Sequence, residues 1–233
     1  MFTNQLVGAN QIMNCFREKS FTDRDLPDKS QRRRLPMGRG SETKEKILAA
    51  SLEIFSRQGY DGARMDGIAA QVGINKASLY FHFASKEEIF RVLFAQIVET
   101  YGREVARIFN DAKALPVRDR LVAIARSYLL YHWKNTEMDF WNAVFYYPPQ
   151  TMREEILAAT DASKTDLQDR LTAVMEEGIA EGVFGQVPAR SLAMSFYYVL
   201  TCISISMDMM DKDEALRNME ACFDAFWNGA ARR

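Results

Sequence analysis

The sequence predicts an all-α fold. Three observations carry that prediction. Apolar residues recur at helical spacing almost without break from Ser41 onward. Gly, Pro, Asn and Ser sit where helices start and stop. Nowhere does the chain show an alternating strand run, an internal repeat or a low-complexity tract.

The first helix carries Ile47, Leu48, Leu52, Ile54 and Phe55 on its apolar face and is expected to stop at Gly59. A second runs from about Arg64 to Val72, ended by Gly73, which takes the left-handed conformation at low cost. Asn75 caps a third, through Phe83. Ser85 followed by Glu88 is a capping-box signature for a long fourth helix, Lys86 to about Asn110. Pro116 opens a helix to about Asn135. A short one over about Glu137–Tyr146 is ended by Pro148 and Pro149. A long helix over about Thr151–Glu181 closes at Gly182 and Gly185. Pro188 opens another, to about Met210, and the last covers about Lys212–Asn228.

Composition narrows the function. The chain has 233 residues, room for one or two domains at roughly 100–200 residues each. With 48% hydrophobic and 26% charged residues it is not a wholly disordered chain. The net charge of −1 excludes a uniformly basic nucleic-acid binder but leaves room for a local basic patch. Cys15, Cys202 and Cys222 are odd in number and never at C-x-x-C spacing, which argues against a disulfide scaffold and for a reducing compartment. His82 and His132 are the only histidines, so no His-rich metal centre is expected. No nucleophile–base motif, phosphate loop or metal spacing marks an enzyme, and neither a metal nor a cofactor is expected.

No secretory leader is visible: the first 16 residues carry no charge and mix Asn, Gln, Thr and Gly. The longest uncharged apolar stretch, Ser191 to Met207, is shorter than the ~20 residues a bilayer needs and holds Ser195, Thr201, Ser204 and Ser206. The expectation is a cytoplasmic protein with no membrane partner.

Charge divides the chain into three. Residues 1–40 carry net +4, with Arg32, Arg33, Arg34 and Arg39 clustered before the first helix; residues 41–90 carry net −1; residues 91–233 carry net −4. The first part reads as a flexible extension, its arginines either a solvated linker or an arm that touches DNA. Met37 heads M-G-R-G-S-E-T-K, an ordinary start for the helical part of the chain.

Residues 64–83 form a helix, a tight turn at Gly73–Ile74 and a second short helix, the layout of a helix-turn-helix. Ile68, Ala69, Val72, Ile74, Leu79 and Phe83 would pack the pair. Lys76, Ala77, Ser78, Tyr80, Phe81 and His82 would face outward or sideways, the second helix lying in a major groove about 12 Å wide.

The stretch T-K-E-K-I-L-A-A-S-L-E-I-F-S-R-Q-G-Y, then I-A-A-Q-V-G-I-N-K-A-S-L-Y-F-H-F-A-S-K-E-E-I-F, resembles the TetR/AcrR-type bacterial regulators over about residues 43–90. The paired signatures are F-x-x-x-G-Y, from Phe55 to Tyr60, and L-Y-F-H-F-x-x-K, from Leu79 to Lys86. The resemblance implies a homodimeric DNA-binding transcriptional regulator, a repressor released from a palindromic operator by a small ligand. It implies a DNA-binding domain over 41–90 and a ligand-binding and dimerisation domain over 91–233. It also implies roles. Tyr80, His82 and Lys86 would meet phosphates, Lys76, Ala77 and Ser78 would meet base edges, and Arg64 and Lys44 are further phosphate candidates; Phe83 and Tyr60 look structural. Two departures soften the second helix: Ala63 where the family often has a Thr or Ser cap, and Gly67 mid-helix, at about 1 kcal/mol against Ala.

Beyond residue 90, Leu121, Ile124, Ala125, Tyr128, Leu129 and His132 share one helix face, and aromatic residues crowd nearby. Tyr128, His132, Trp141 and Phe145 are the candidates to line a pocket for an apolar or aromatic effector; plain core packing is the other reading of the same residues. In the last two helices, Leu192, Phe196, Val199, Leu200, Ile203 and Met207 form one stripe and Leu216, Met219, Phe223, Phe226 and Trp227 another. The resemblance places such stripes at a four-helix dimer interface; burial within the subunit is the alternative. An activator, and a helical ligand-binding protein with a non-functional DNA domain, are the competing functions.

Overall fold

The computed structural model describes residues 39–231. Among them nine α-helices occur in order: α1 (Arg39–Gly62), α2 (Met65–Val72), α3 (Lys76–His82), α4 (Lys86–Ala112), α5 (Val117–His132), α6 (Thr136–Tyr146), α7 (Arg153–Ala180), α8 (Ala189–Ser206) and α9 (Lys212–Ala230). Single 3-10 turns at Gln150–Met152 and Met207–Met209 precede α7 and follow α8. The β pairing among these residues amounts to one isolated bridge, Phe184 to Ala231. The fold is all-α, as the periodicity predicts, and the arginine cluster Arg32–Arg34 lies outside the described residues.

The punctuation works largely as the sequence suggests. Gly73 adopts φ 77°, ψ 31°, and the amides of Gly73 and Ile74 bond back to the carbonyls of Ala70 and Ala69, which closes α2 and turns the chain. Asn75 accepts the Ser78 amide at 2.8 Å to open α3. At α4 the Glu88 amide donates to Ser85 Oγ at 3.1 Å, while the Glu88 carboxylate reaches back to the Ala84 amide, one residue before the cap. α5 ends at His132 and α8 at Ser206, short of the expected Asn135 and Met210, and two boundaries near the motif also differ from expectation. α1 continues to Gly62 past a break at Gly59, whose φ of 68° with ψ of 177° suits glycine alone. The N-cap of α2 is Arg64, not Ala63, and its side chain makes no capping bond, so the weak helix start expected at Ala63 sits one residue later.

The chain folds as two units. One holds the described residues up to Val98 together with Asp139–Ala159; the other holds Glu99–Met138 and Thr160 onward. In the first, α2 packs on α1 and on α3. Its core is aromatic: Phe140 lies 6.2 Å from Phe55 and 5.2 Å from Phe90, ring to ring, and Trp141 stacks on Phe94 at 6.2 Å. These rings bring Asp139–Ala159 into the unit, and Arg91 joins Glu87 to Glu155 beside them. Each passage of the described chain from one unit to the other falls inside a helix: α4, α6 and α7.

In the second unit α5, α8 and α9 pack on one another. The stripe Leu192, Phe196, Leu200, Ile203 and Met207 is buried, as are Leu216, Met219 and Phe223. Burial within a single subunit is therefore the outcome for most of both stripes, against the dimer interface that the resemblance places there. A different face of α8 is open: Met194, Tyr198, Cys202 and Ile205 are exposed, four or three residues apart.

Two glycines in helices give opposite expectations. A Cβ on Gly67 in α2 would meet nothing within 4 Å. A Cβ on Gly178 in α7 would lie 2.6 Å from the buried Phe184 ring and 3.1 Å from Val117. Gly67→Ala is expected to raise stability by about 0.5–1 kcal/mol. Gly178→Ala is expected to lower it by about 1 kcal/mol, overpacking outweighing helix propensity. Urea midpoints of the two variants check this; the same sign for both would contradict the packing.

Candidate nucleic-acid interface

The seven-residue α3 is too short to persist alone. Leu79 and Phe83 anchor it: both are fully buried, and Ile68 and Ala69 are buried in α2, the helix on which it packs. Val72 and Ile74, expected in the same core, are half-buried at its edge. With Leu79 turned inward, Lys76, Ala77, Tyr80 and Phe81 are left exposed, and Ser78 and His82 are half-buried beside them. This brings the expected base-reading residues Lys76, Ala77 and Ser78 together on the first turn of one outward helix. Tyr80, 44% exposed, and His82 lie on its second turn.

Other expected contacts have more to do within the fold. Lys44 holds its ammonium 5.1 Å from the centre of the Phe83 ring. Arg64 is exposed at the start of α2. Lys86 is a clamp: its Nζ donates to the Tyr60 carbonyl at 2.6 Å and the Ala63 carbonyl at 3.0 Å, and sits 4.2 Å over the Tyr60 ring. It thereby ties the end of α1 and the loop before α2 to the start of α4. Tyr60 in turn stacks on Phe55 and meets Phe90 edge-on. Tyr60 and Phe83 are thus structural, as expected.

Two exposed side chains have no assigned role in the motif. Phe81 is 86% exposed, the most exposed large apolar residue among the described ones, and stands edge-to-face with His82 at 5.4 Å. An apolar residue on a short helix whose buried positions are already filled is the signal that marks it. Asp66, in the first turn of α2, holds Lys76 Nζ at 2.8 Å. That hydrogen bond and charge raise the Lys76 pKa. No local sequence pattern announces a pair ten residues apart across a turn.

The four effector candidates divide between the units. Trp141 and Phe145 belong to the first, where Phe145 lies edge-on to Tyr146. Tyr128 and His132 belong to the second and meet at 4.2 Å, ring to ring. Around them stand Tyr101, whose hydroxyl is 3.4 Å from that of Tyr128, and Tyr131, edge-on to His132 at 5.5 Å. The Tyr131 hydroxyl is buried without a hydrogen-bond partner. Burial pushes the phenols upward, Tyr131 to about 12. His132 Nδ1 donates to the Tyr128 carbonyl at 2.8 Å, which leaves Nε2 unprotonated in the neutral ring. Desolvation lowers its pKa to about 4. The cluster is uncharged at neutral pH. Among the described residues no group of His, Cys, Asp and Glu could hold a metal ion, and no helix is long and apolar enough to cross a membrane.

An exposed short helix, held by a glycine turn against a second helix inside a helical unit, is the arrangement of a helix-turn-helix DNA-binding protein. Comparison with known proteins gives the family. A family model for bacterial regulatory proteins of the tetR family matches residues 47–93, and one for the tetracyclin repressor-like C-terminal domain matches residues 114–204. The chain belongs to the TetR family. The biofilm operon icaADBC HTH-type negative transcriptional regulator IcaR of Staphylococcus epidermidis is 50% identical over 48 residues, 21% of this chain and 26% of that protein. IcaR of Staphylococcus aureus is 51% identical over 47 residues, 20% of this chain and 25% of that protein. The chain thus spans about a quarter of the length of these curated relatives. Among solved structures, a TetR regulator from Chloroflexus aurantiacus has a TM-score of 0.64 at 19% identity, covering 84% of this chain and 100% of that one. The fatty acid degradation regulator FadR from Bacillus halodurans has a TM-score of 0.63 at 19% identity, covering 84% and 98%. A regulator from Saccharomonospora viridis, solved with choline, has 0.62 at 20%, covering 83% and 100%. These likenesses show the shared fold.

The geometry sets two expectations. Lys86→Met keeps the aliphatic stem and removes two charged hydrogen bonds, so the free protein should lose about 1–3 kcal/mol in thermal or urea unfolding. An unchanged melt would mean that the clamp is idle. His132 is neutral when folded down to about pH 4 but takes a proton below about pH 6.5 once unfolded. Stability should therefore fall as pH drops through that window, by about 2 kcal/mol between pH 7.5 and 5. In His132→Asn that slope should flatten; an equal slope in both proteins would place the titrating group elsewhere.

Proposed function

We propose that this protein is a sequence-specific transcriptional repressor that binds a palindromic operator as a homodimer and lets go when a small molecule binds. The observation that carries the reading is the outward turn of α3, where Lys76, Ala77 and Ser78 stand together with their helix anchored behind them by Leu79 and Phe83. Such a helix reads base edges in a major groove, while Tyr80, His82, Arg64 and Lys44 meet phosphates. Lys86 keeps the helices in register and has a third N–H for a phosphate near the start of α4. Phe81 suits a thymine methyl. That IcaR is named a negative regulator supports repression. The site of action is then the cytoplasm, where the operator is.

Residues 41–90 form the DNA-binding domain in this reading, residues 1–40 a basic extension, and residues 91–233 the ligand-binding and dimerisation domain. Dimer contact falls on the open face of α8, Met194, Tyr198, Cys202 and Ile205, with the small exposed residues Ala221, Ala225 and Gly229 of α9 allowing close approach. The effector contacts the uncharged Tyr128–His132 cluster within the second unit, where the buried Tyr131 hydroxyl lacks a partner. An apolar or aromatic molecule with one hydrogen-bonding group suits that chemistry. Its differential affinity for two states, typically 1–3 kcal/mol of coupling, reaches the first unit through the helices that run on from one unit to the next.

The test is equilibrium binding to a duplex that the protein selects and to a scrambled one, over a range of salt. Arg64→Ala should weaken both alike and reduce the salt slope by about one. Lys76→Ala should cost about 1–3 kcal/mol on the selected duplex and relax the preference at one base pair. Binding of the selected duplex that ignores both substitutions would overturn the assigned interface; a folded protein that binds no duplex would favour a helical ligand-binding protein with a silent DNA domain.

A further inference from the structure

Lys76 is the only Lys or Arg in the sequence of α3, and in the free protein its ammonium is not offered to solvent alone. Asp66 Oδ1 holds it at 2.8 Å from the first turn of α2, with 59% of the lysine and 70% of the aspartate side chain exposed. Exposed pairs of this kind add next to nothing to stability, so the fold does not need it. The pair instead changes what DNA meets. A lysine already neutralised by a neighbouring carboxylate releases no counterion when it approaches a phosphate, and the carboxylate is itself repelled by the backbone. A base edge differs: guanine presents two acceptors, N7 and O6, at fixed positions, and a lysine that reaches them gains hydrogen bonds that a phosphate at the wrong register does not give. Residues 41–90, with net charge −1, have little spare positive charge with which to hide such an effect.

We propose that Asp66 is a specificity-determining residue, which withholds Lys76 from the phosphates of non-operator DNA and yields it to a base edge in the matched site. The proposal rests on the reading of the protein as a DNA-binding repressor. Asp66 itself touches no base; it acts through Lys76, as a check against the wrong partner.

The experiment uses the full chain, with Asp66→Asn, Lys76→Gln and the double variant, each bound to a duplex the wild type selects from random sequence and to a scrambled duplex, from low to physiological salt. Asp66→Asn should bind scrambled DNA about tenfold more tightly, with a salt slope steeper by about one, and the selected duplex much less changed, so that discrimination drops. Lys76→Gln, which leaves the Asp66 carboxylate unpaired against the backbone, should bind scrambled DNA more weakly than the wild type, and the double variant should return to the wild-type level. Equal effects of Asp66→Asn on both duplexes, or none, would overturn the proposal. So would a double variant that keeps the gain, because Asp66 would then act by its own charge and not through Lys76. A wild type that discriminates no sequence would overturn the DNA-binding reading along with it, which separates the two failures. Thermal melts of the variants, expected to match the wild type, guard against a folding effect.

Discussion

The DNA-binding unit depends on one cation. Lys86 stands at the start of the long α4, and its ammonium closes on two carbonyls from the end of α1 and the approach to α2, over the face of the Tyr60 ring. Three chain segments that share no regular hydrogen bonding are fixed there by a single charged group. Charge-assisted bonds to carbonyls are about twice as strong as neutral ones. Buried Ile68, Ala69, Leu79 and Phe83, with the Gln71–Glu53 hydrogen bond between α2 and α1, complete the seating of α2 and α3. Neither helix could hold its shape alone. What they present outward is determined by which residues had to turn inward.

The second constraint is aromatic. Phe55, Phe90 and Phe140 meet at 5–6 Å, a spacing at which ring edges and faces attract. Phe140 comes from a helix that starts in the other unit, so the aromatic core enlists a segment distant in sequence. The chain passes between the units inside α4, α6 and α7.

Much of this was legible in the sequence, and the boundary of legibility has a physical origin. Gly73, Asn75, Ser85 and Glu88 act within a few residues of themselves, so the turn, the cap and the start of α4 come from local chemistry. The break at Gly59 was also local, but not the return to helix as far as Gly62. The interactions that finish the site are long-range. Lys86 meets Tyr60 across 26 residues and Asp66 meets Lys76 across ten, and no spacing rule predicts either. The apolar stripes of α8 and α9 show a third limit. Periodicity tells which face is covered, not whether the cover is the same subunit or another; Leu192, Phe196 and Leu200 prove to be covered from within. Likewise, Tyr128 and His132 form one cluster, whereas Trp141 and Phe145 belong to the other unit, which four aromatic names in a row of helices do not reveal.

The claim on which the account turns is that the outward face of α3 reads a DNA sequence. The most direct measurement is selection of random duplex DNA by the purified full-length protein at near-physiological salt. The account predicts enrichment of an inverted repeat whose half-sites lie about one helical turn apart, ~34–36 Å, or a multiple of it. A folded protein that enriches no sequence, or enriches a single unpaired half-site, would contradict it.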